Sequence, residues 1–176
     1  HPTLRGSAEN SDIFFQHREA CNKYYNDAVE ATVKYMDEVN AKIGTDYKPF
    51  NYYGAADAKH IIIAMGSVCD TIAETIDYLN AKGEKVGLVK VHLYRPFSAK
   101  YLLDVIPATV EKISVLDRTK EPGSIGEPLF LDVVAALKGS AFEATPVYNG
   151  RYGLGSKDTV PAHIISIYNN MKADAP

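Results

Sequence analysis

Between Ile113 and Leu129 the chain reads ISVLDRTKEPGSIGEPL, an apolar stretch running straight into four charges, Asp117, Arg118, Lys120 and Glu121. Gly123, Gly126 and Pro128 follow before the next apolar run. Glycine opens backbone angles closed to other residues, and proline suits the first turn of a helix because its missing N–H needs no partner there. A strand, a charged loop and a helix in this order place charged groups at the carboxyl end of a buried strand. In open α/β sheets that edge is the usual ligand site, and free N–H groups at a helix start favour anions. The same charges can instead pair with one another or with a neighbouring domain.

Two further segments have comparable character. Tyr94-Arg95-Pro96-Phe97-Ser98 carries Arg95, whose planar, multi-donor guanidinium suits a phosphate or carboxylate and equally suits an ion pair closing the strand end. Asn149 to Asp158 contains Gly153-Leu154-Gly155 followed by Ser156 and Lys157, with Arg151 just before. This loop lacks the GxxxxGK[ST] order and the GxGxxG spacing, so it is not read as nucleotide-binding. Its N–H groups, with Arg151 and Lys157, could still hold an acidic group. The candidate anion or interdomain docking residues are therefore Arg95, Arg118, Lys120, Gly123, Gly126, Arg151, Ser156 and Lys157. No spacing sets a nucleophile beside a base, so no catalytic residue is assigned.

These loops need elements to position them. Tyr25, Val29, Val33, Met36 and Ile43 recur at helical steps, predicting one helix over 17–43 after Ser11 and Asp12, with Gly44 as its stop. Thr45 to Ala56, with Pro49, Gly54 and four aromatic residues, reads as a linker that packs against something. Ile61 to Met65 is a continuously apolar strand, and Ser67 is placed to cap a helix bearing Val68, Ile72, Ile76 and Leu79. Val86 to Leu93 is a second strand, and Ser98 caps a short helix with Leu102, Leu103 and Ile106 before Pro107. Ile113 to Leu116 is a third strand, and Leu129, Val133, Val134 and Leu137 form the inner face of the next helix. Pro146 to Tyr148 is a fourth strand candidate, and Thr159 with Pro161 opens a last helix carrying Ile164, Ile165, Tyr168 and Met171. The alternation implies an α/β fold: three layers, a mostly parallel sheet with helices on both faces, preceded by an N-terminal helical segment. Residues 1–56 form that segment with its linker, and 57–176 the α/β domain.

Composition narrows the function classes. The 176 residues are 46% hydrophobic and 23% charged, ordinary for a globular domain, with a formal net charge of −3 and no basic run. Nucleic acid is not an expected partner. Five consecutive apolar residues at 61–65 fall far short of a membrane span, and no signal-peptide pattern opens the chain, so a cytoplasmic location with no membrane association is expected. Cys21 and Cys69 have no CxxC partner, and the five histidines show no ligand spacing, so no metal site is assigned. Cys69 reads as a buried thiol. His1 in place of a start methionine, with an irregular opening, gives the look of an excised segment.

Four motifs in order carry a resemblance: IAMGSVC at 63–69, LVKVHLYRPFS at 88–98, VLDRTKEPGSIGEP at 115–128 and GRYGLGSK at 150–157. Together they closely resemble the pyruvate:ferredoxin (flavodoxin) oxidoreductase family over nearly the whole chain. The opening HPTLRG at 1–6 and DIFFQ at 12–16 look like the end of that family's first, thiamine-diphosphate-associated domain. Residues from about 57 look like its second domain, which is similar to the C-terminal domain of transketolase. The resemblance implies a parent enzyme that oxidatively decarboxylates pyruvate on thiamine diphosphate, transfers the acetyl group to the substrate coenzyme A and passes electrons through [4Fe-4S] clusters to ferredoxin or flavodoxin. It also implies that these cofactors and redox partners are met by other domains of a homodimeric parent, with none bound inside this chain. The role implied here is noncatalytic: scaffolding, interdomain packing and dimer support. Two other readings of the residues are an independent small-ligand or coenzyme A-binding module using the Arg118 to Gly126 edge, and a subunit-interaction module built on the N-terminal helix.

Overall fold

Eleven segments of regular helix or strand follow one another in the computed structural model, which describes residues 2, 6 and 8–173. Most of the HPTLRG stretch therefore lies outside the described residues. The chain divides into two compact units, His1–Asp46 and Tyr47–Pro176. The first holds helices α1 (Ser11–Ala20) and α2 (Asn22–Ile43), so the single helix predicted over 17–43 starts earlier and is divided at Cys21. Gly44 ends α2 in the left-handed region, at φ 72°. Neither helix has a buried residue.

The second unit opens with a strand where a linker was expected. β1 (Phe50–Gly54) pairs antiparallel with β3 (Val86–Val91), Phe50 facing Val91 and Gly54 facing Gly87. Phe50 is buried, and its ring meets that of Phe97 edge-on at 5.5 Å, so this aromatic segment packs as part of the sheet. Between these strands come β2 (His60–Met65) and helix α3 (Val68–Asn80). After β3 the chain forms α4 (Ala99–Leu103), β4 (Lys112–Asp117), α5 (Pro128–Leu137), β5 (Val147–Arg151), a 3-10 turn at Leu154–Ser156, and α6 (Pro161–Lys172). The sheet order is β1-β3-β2-β4-β5, with every pairing parallel except that of β1.

This order follows from crossover handedness. β2 to β3 steps one way across the sheet, while β3 to β4 passes back beyond β2, and right-handed crossovers then put the connecting helices on opposite faces. The core divides accordingly. Ile61, Ile63, Val89, Ile113 and Val115 pack with Leu102 of α4 and Leu129, Val133 and Leu137 of α5. Ile62, Ala64, Leu88 and Leu116 pack with Ile72 and Ile76 of α3 and Ile164, Tyr168 and Met171 of α6. β2 lies at the centre, and its four middle residues are buried, as its unbroken apolar sequence requires. Val134, assigned to the inner face of α5, is 42% exposed. It follows Val133 by one residue, so it points about 100° away from the buried stripe.

Caps were partly legible. Ser98 Oγ accepts from Tyr101 N–H at 3.5 Å and begins α4. Ser67 makes no such bond: its backbone is already helical, at φ −63° and ψ −22°, and its hydroxyl is unspent on the helix. On the far side of the core, the buried Tyr168 hydroxyl donates to the Gly87 carbonyl at 2.9 Å, tying α6 to β3. Tyr168→Phe removes that bond with little change of volume. It is expected to lower unfolding stability by about 1 kcal/mol, the usual net value of one neutral hydrogen bond, measured by chemical denaturation.

Candidate docking edge at the strand ends

The sheet winds in opposite directions from β2, so β2 and β4 diverge at their carboxyl ends, the place where doubly wound sheets form a crevice. Four loops leave the sheet there, after β2, β3, β4 and β5. The candidate residues sit on three of them, and they fall into distinct groups.

The loop after β4 is held by two buried acids. Asp117, the last residue of β4, directs both carboxylate oxygens to the start of α5: Oδ1 accepts from Leu129 N–H at 2.9 Å and Oδ2 from Phe130 N–H at 3.1 Å. Pro128 has no N–H to satisfy, so a single carboxylate arriving from another strand serves the free donors of the first turn. Burial pushes the Asp117 pKa up, with the nearby Glu127 and Asp132 charges adding to it, against the downward pull of the two N–H groups. Glu127, one residue before the helix, has a side chain that is 1% exposed. It accepts from Glu121 N–H at 2.8 Å and is ion-paired to Arg151 Nε of β5. Burial acts to raise its pKa, but the Arg151 guanidinium, the Glu121 N–H and Lys120 outweigh it and hold the carboxyl below the usual glutamate range.

Several candidates therefore serve the loop itself. Arg151 is paired with Glu127, and Lys120 donates to the Glu121 carbonyl at 3.3 Å. Gly123 turns the chain at φ 81°, as expected of glycine there. Gly126 has no positive φ, and its need is for space: a Cβ would strike the Phe130 ring. The expectation of special backbone angles fails at Gly126 because Phe130 of the following helix folds back over it.

Arg95 is engaged at the end of β3. Its guanidinium stacks on the Tyr94 ring with Cζ 3.9 Å from the centroid, and Nη2 donates to Tyr94 Oη at 3.1 Å and to Asp132 Oδ2 of α5 at 2.7 Å. Asp132 and Tyr94 were not singled out from the sequence. The pairing lies 37 residues away along the chain and leaves no local pattern.

The remaining candidates converge. Arg118, Ser156 and Lys157 line one cleft of about 180 Å³ with Ser67 and Thr71 at the start of α3, beside Tyr152 and Asp158. Arg118 Nε donates to the Gly153 carbonyl at 3.1 Å, the guanidinium lying over the glycine where a Cβ would crowd it. The edge thus has a braced side, built on Asp117, Glu127, Arg151 and Arg95, and an open side at the β2/β4 divergence. Among the described residues no group of three or more His, Cys, Asp or Glu gathers as a metal site, and no helix is long and apolar enough to cross a membrane. Cys69 is buried, its thiol pushed up to about 11 by that burial.

Fold and edge together define an open, doubly wound α/β domain whose strand-end loops are fixed mainly by internal acid-to-backbone and acid-to-arginine bonds. The family model for pyruvate:ferredoxin oxidoreductase core domain II matches residues 58–164, and the chain belongs to that family. It is 56% identical over all 176 residues to the pyruvate-flavodoxin oxidoreductase of Enterobacter agglomerans and 49% identical to the pyruvate:ferredoxin oxidoreductase of Moorella thermoacetica. In each case it covers 100% of this chain and spans only 15% of the relative's length. A 2-oxoglutarate:ferredoxin oxidoreductase structure from Magnetococcus marinus aligns over 72% of this chain and 20% of that one, at 20% identity and a TM-score of 0.48.

Two outcomes test the bracing. Asp117→Ala, which strips the α5 start of its acceptor, is expected to cost about 1–2 kcal/mol in denaturant unfolding, with Asp117→Asn, keeping one acceptor oxygen, losing less. The depressed Glu127 pKa means that the folded state binds its proton more weakly than the unfolded chain does. Its stabilisation is therefore full above the ordinary glutamate range and disappears as pH falls through the depressed value. Thermal melts of wild type and Glu127→Gln should differ most near neutrality, with wild type higher, and converge on acidification below that range.

Proposed function

We propose that this chain is a noncatalytic structural segment of a thiamine-diphosphate and iron-sulfur dependent pyruvate:ferredoxin or flavodoxin oxidoreductase. Pyruvate and coenzyme A would be converted by the parent to acetyl-CoA and carbon dioxide, with reduction of ferredoxin or flavodoxin. The observation that carries this reading is identity of 56% across the entire chain to a pyruvate-flavodoxin oxidoreductase of which it forms only 15%. Residues up to Asp46 would end the preceding domain, and the α/β domain, expected from residue 57, would begin at Tyr47 so as to include β1. The parent would be a cytoplasmic homodimer, and its redox partners would meet other domains.

The donor chemistry of the chain supports placing the clusters elsewhere. A [4Fe-4S] cluster takes four thiolates, and this sequence has two cysteines, one in each compact unit. No step of the reaction is assigned to residues here. What the chain supplies is a rigid edge, with Asp117, Glu127, Arg151 and Arg95 fixing the loops that a neighbouring domain would meet. The 22-residue helix α2 buries none of its residues, although its sequence carries an apolar stripe. Most helices draw their stability from such packing, and the longer relatives have the additional chain to provide it. The purified 176-residue chain is expected to show no pyruvate-dependent reduction of a viologen dye with coenzyme A and thiamine diphosphate present, whereas a full-length parent should turn over. Turnover by the short chain alone overturns the noncatalytic assignment.

A further inference from the structure

The cleft between the ends of β2 and β4 collects donors that the fold does not use. Ser67 has no capping bond, and Ser67, Arg118, Ser156 and Lys157 line the cleft as solvent-exposed residues, with Thr71 half-buried. Lys157 has no ion pair among the described residues, and Arg118 spends only Nε, on the Gly153 carbonyl, leaving both terminal nitrogens of its fork for another acceptor. These five residues come from three separate segments, after β2, β4 and β5, and meet at one cavity. Ser156 is the one described non-glycine residue with positive φ, at 62°. Two cations face one carboxylate, Asp158, so the lining is net cationic in a chain whose formal charge is −3.

Size and surroundings restrict what such a site takes. A cavity of about 180 Å³ is smaller than the roughly 300–1,000 Å³ of pockets that enclose a whole drug-sized molecule. It suits a head group. It shares a wall, formed by Tyr152, Gly153, Lys157, Asp158 and Thr159, with a second cleft of about 400 Å³ lined in addition by Leu154, His163 and Ile167. Oxyanion donors thus adjoin a roomier, partly apolar recess.

We propose that this paired cleft binds a small organic phosphomonoester. The phosphoryl group sits among Arg118, Lys157, Ser67 and Thr71, and the organic body lies along Leu154 and Ile167. Three peripheral oxygens match a fork, an ammonium and hydroxyl donors arriving from different sides, whereas a carboxylate offers two oxygens in one plane. The proposal stands apart from the assignment as a noncatalytic segment, since binding is read without any turnover.

The test is a titration of the isotope-labelled 176-residue chain followed by amide NMR shifts, using inorganic phosphate, phenyl phosphate and acetate. Phosphate should shift the amides of Ser67, Thr71, Arg118 and Ser156 at millimolar concentrations, and phenyl phosphate should bind more tightly and also shift Leu154 and Ile167. Arg118→Met and Lys157→Met should each weaken phosphate binding about tenfold, the loss expected of one charge-assisted hydrogen bond. Lys120→Met, on the braced loop, should leave it unchanged, and thermal melts verify that each variant is folded. Absence of shifts, acetate binding equal to phosphate, no gain from the phenyl group, or phosphate binding undiminished in both variants overturns the proposal.

Discussion

The Asp117 carboxylate is the point on which the strand-end edge depends. It ends the strand beside the central one, and it closes the first turn of α5 by serving two N–H groups that no local residue can reach. The cost of burying an acid is offset only because both oxygens are bonded and α5 presents its positive end. Once α5 is held there, Glu127 is buried in front of it, and a buried carboxylate needs a cation. Arg151 of the next strand supplies one, so the loop from Arg118 to Gly126 is clamped between β4, α5 and β5.

That chain of dependence explains how the charges on this edge divide. On the α4/α5 side, Arg95 and Arg151 are matched to acids presented by α5 and its approach, and their role is to fix geometry. On the α3/α6 side no acid of the helices answers Arg118 or Lys157. The same sequence feature, a basic residue just past a strand, therefore has opposite meanings on the two faces. What decides the meaning is whether the helix opposite brings a carboxylate.

Much of the architecture was legible because the βαβ elements state their period strongly. Ile61 to Met65 could only be a doubly covered strand, and the stripes of α3 and α6 were read residue by residue. β1 was hidden because Pro49, Gly54 and the asparagine and tyrosines between them read as a turn-rich linker, while its pairing with β3 is a property of the folded sheet. Val134 was drawn into the buried stripe by its apolar character alone. At the edge, the loop residues were identified, but their partners were not. Neither Glu127 nor Asp132 was singled out, because their partners Arg151 and Arg95 lie 24 and 37 residues away along the chain. The pattern of an aspartate at a strand end, followed by proline at a helix start, was the available signal for the cap at Asp117. Ser67 was noticed as a cap and turned out to have its hydroxyl free, because its own backbone had already joined the helix.

The position of β1 also imposes an order on assembly. It precedes β2 in the chain but pairs only with β3, which is completed some 37 residues later, and it never touches β2 through the sheet. As the polypeptide emerges in sequence, the aromatic strand has no sheet partner until β3 has followed it. In the finished sheet β1 forms one edge and β5 the other. The segment after Asp46 thus owes its anchorage in the sheet to residues that lie more than thirty positions further along the chain.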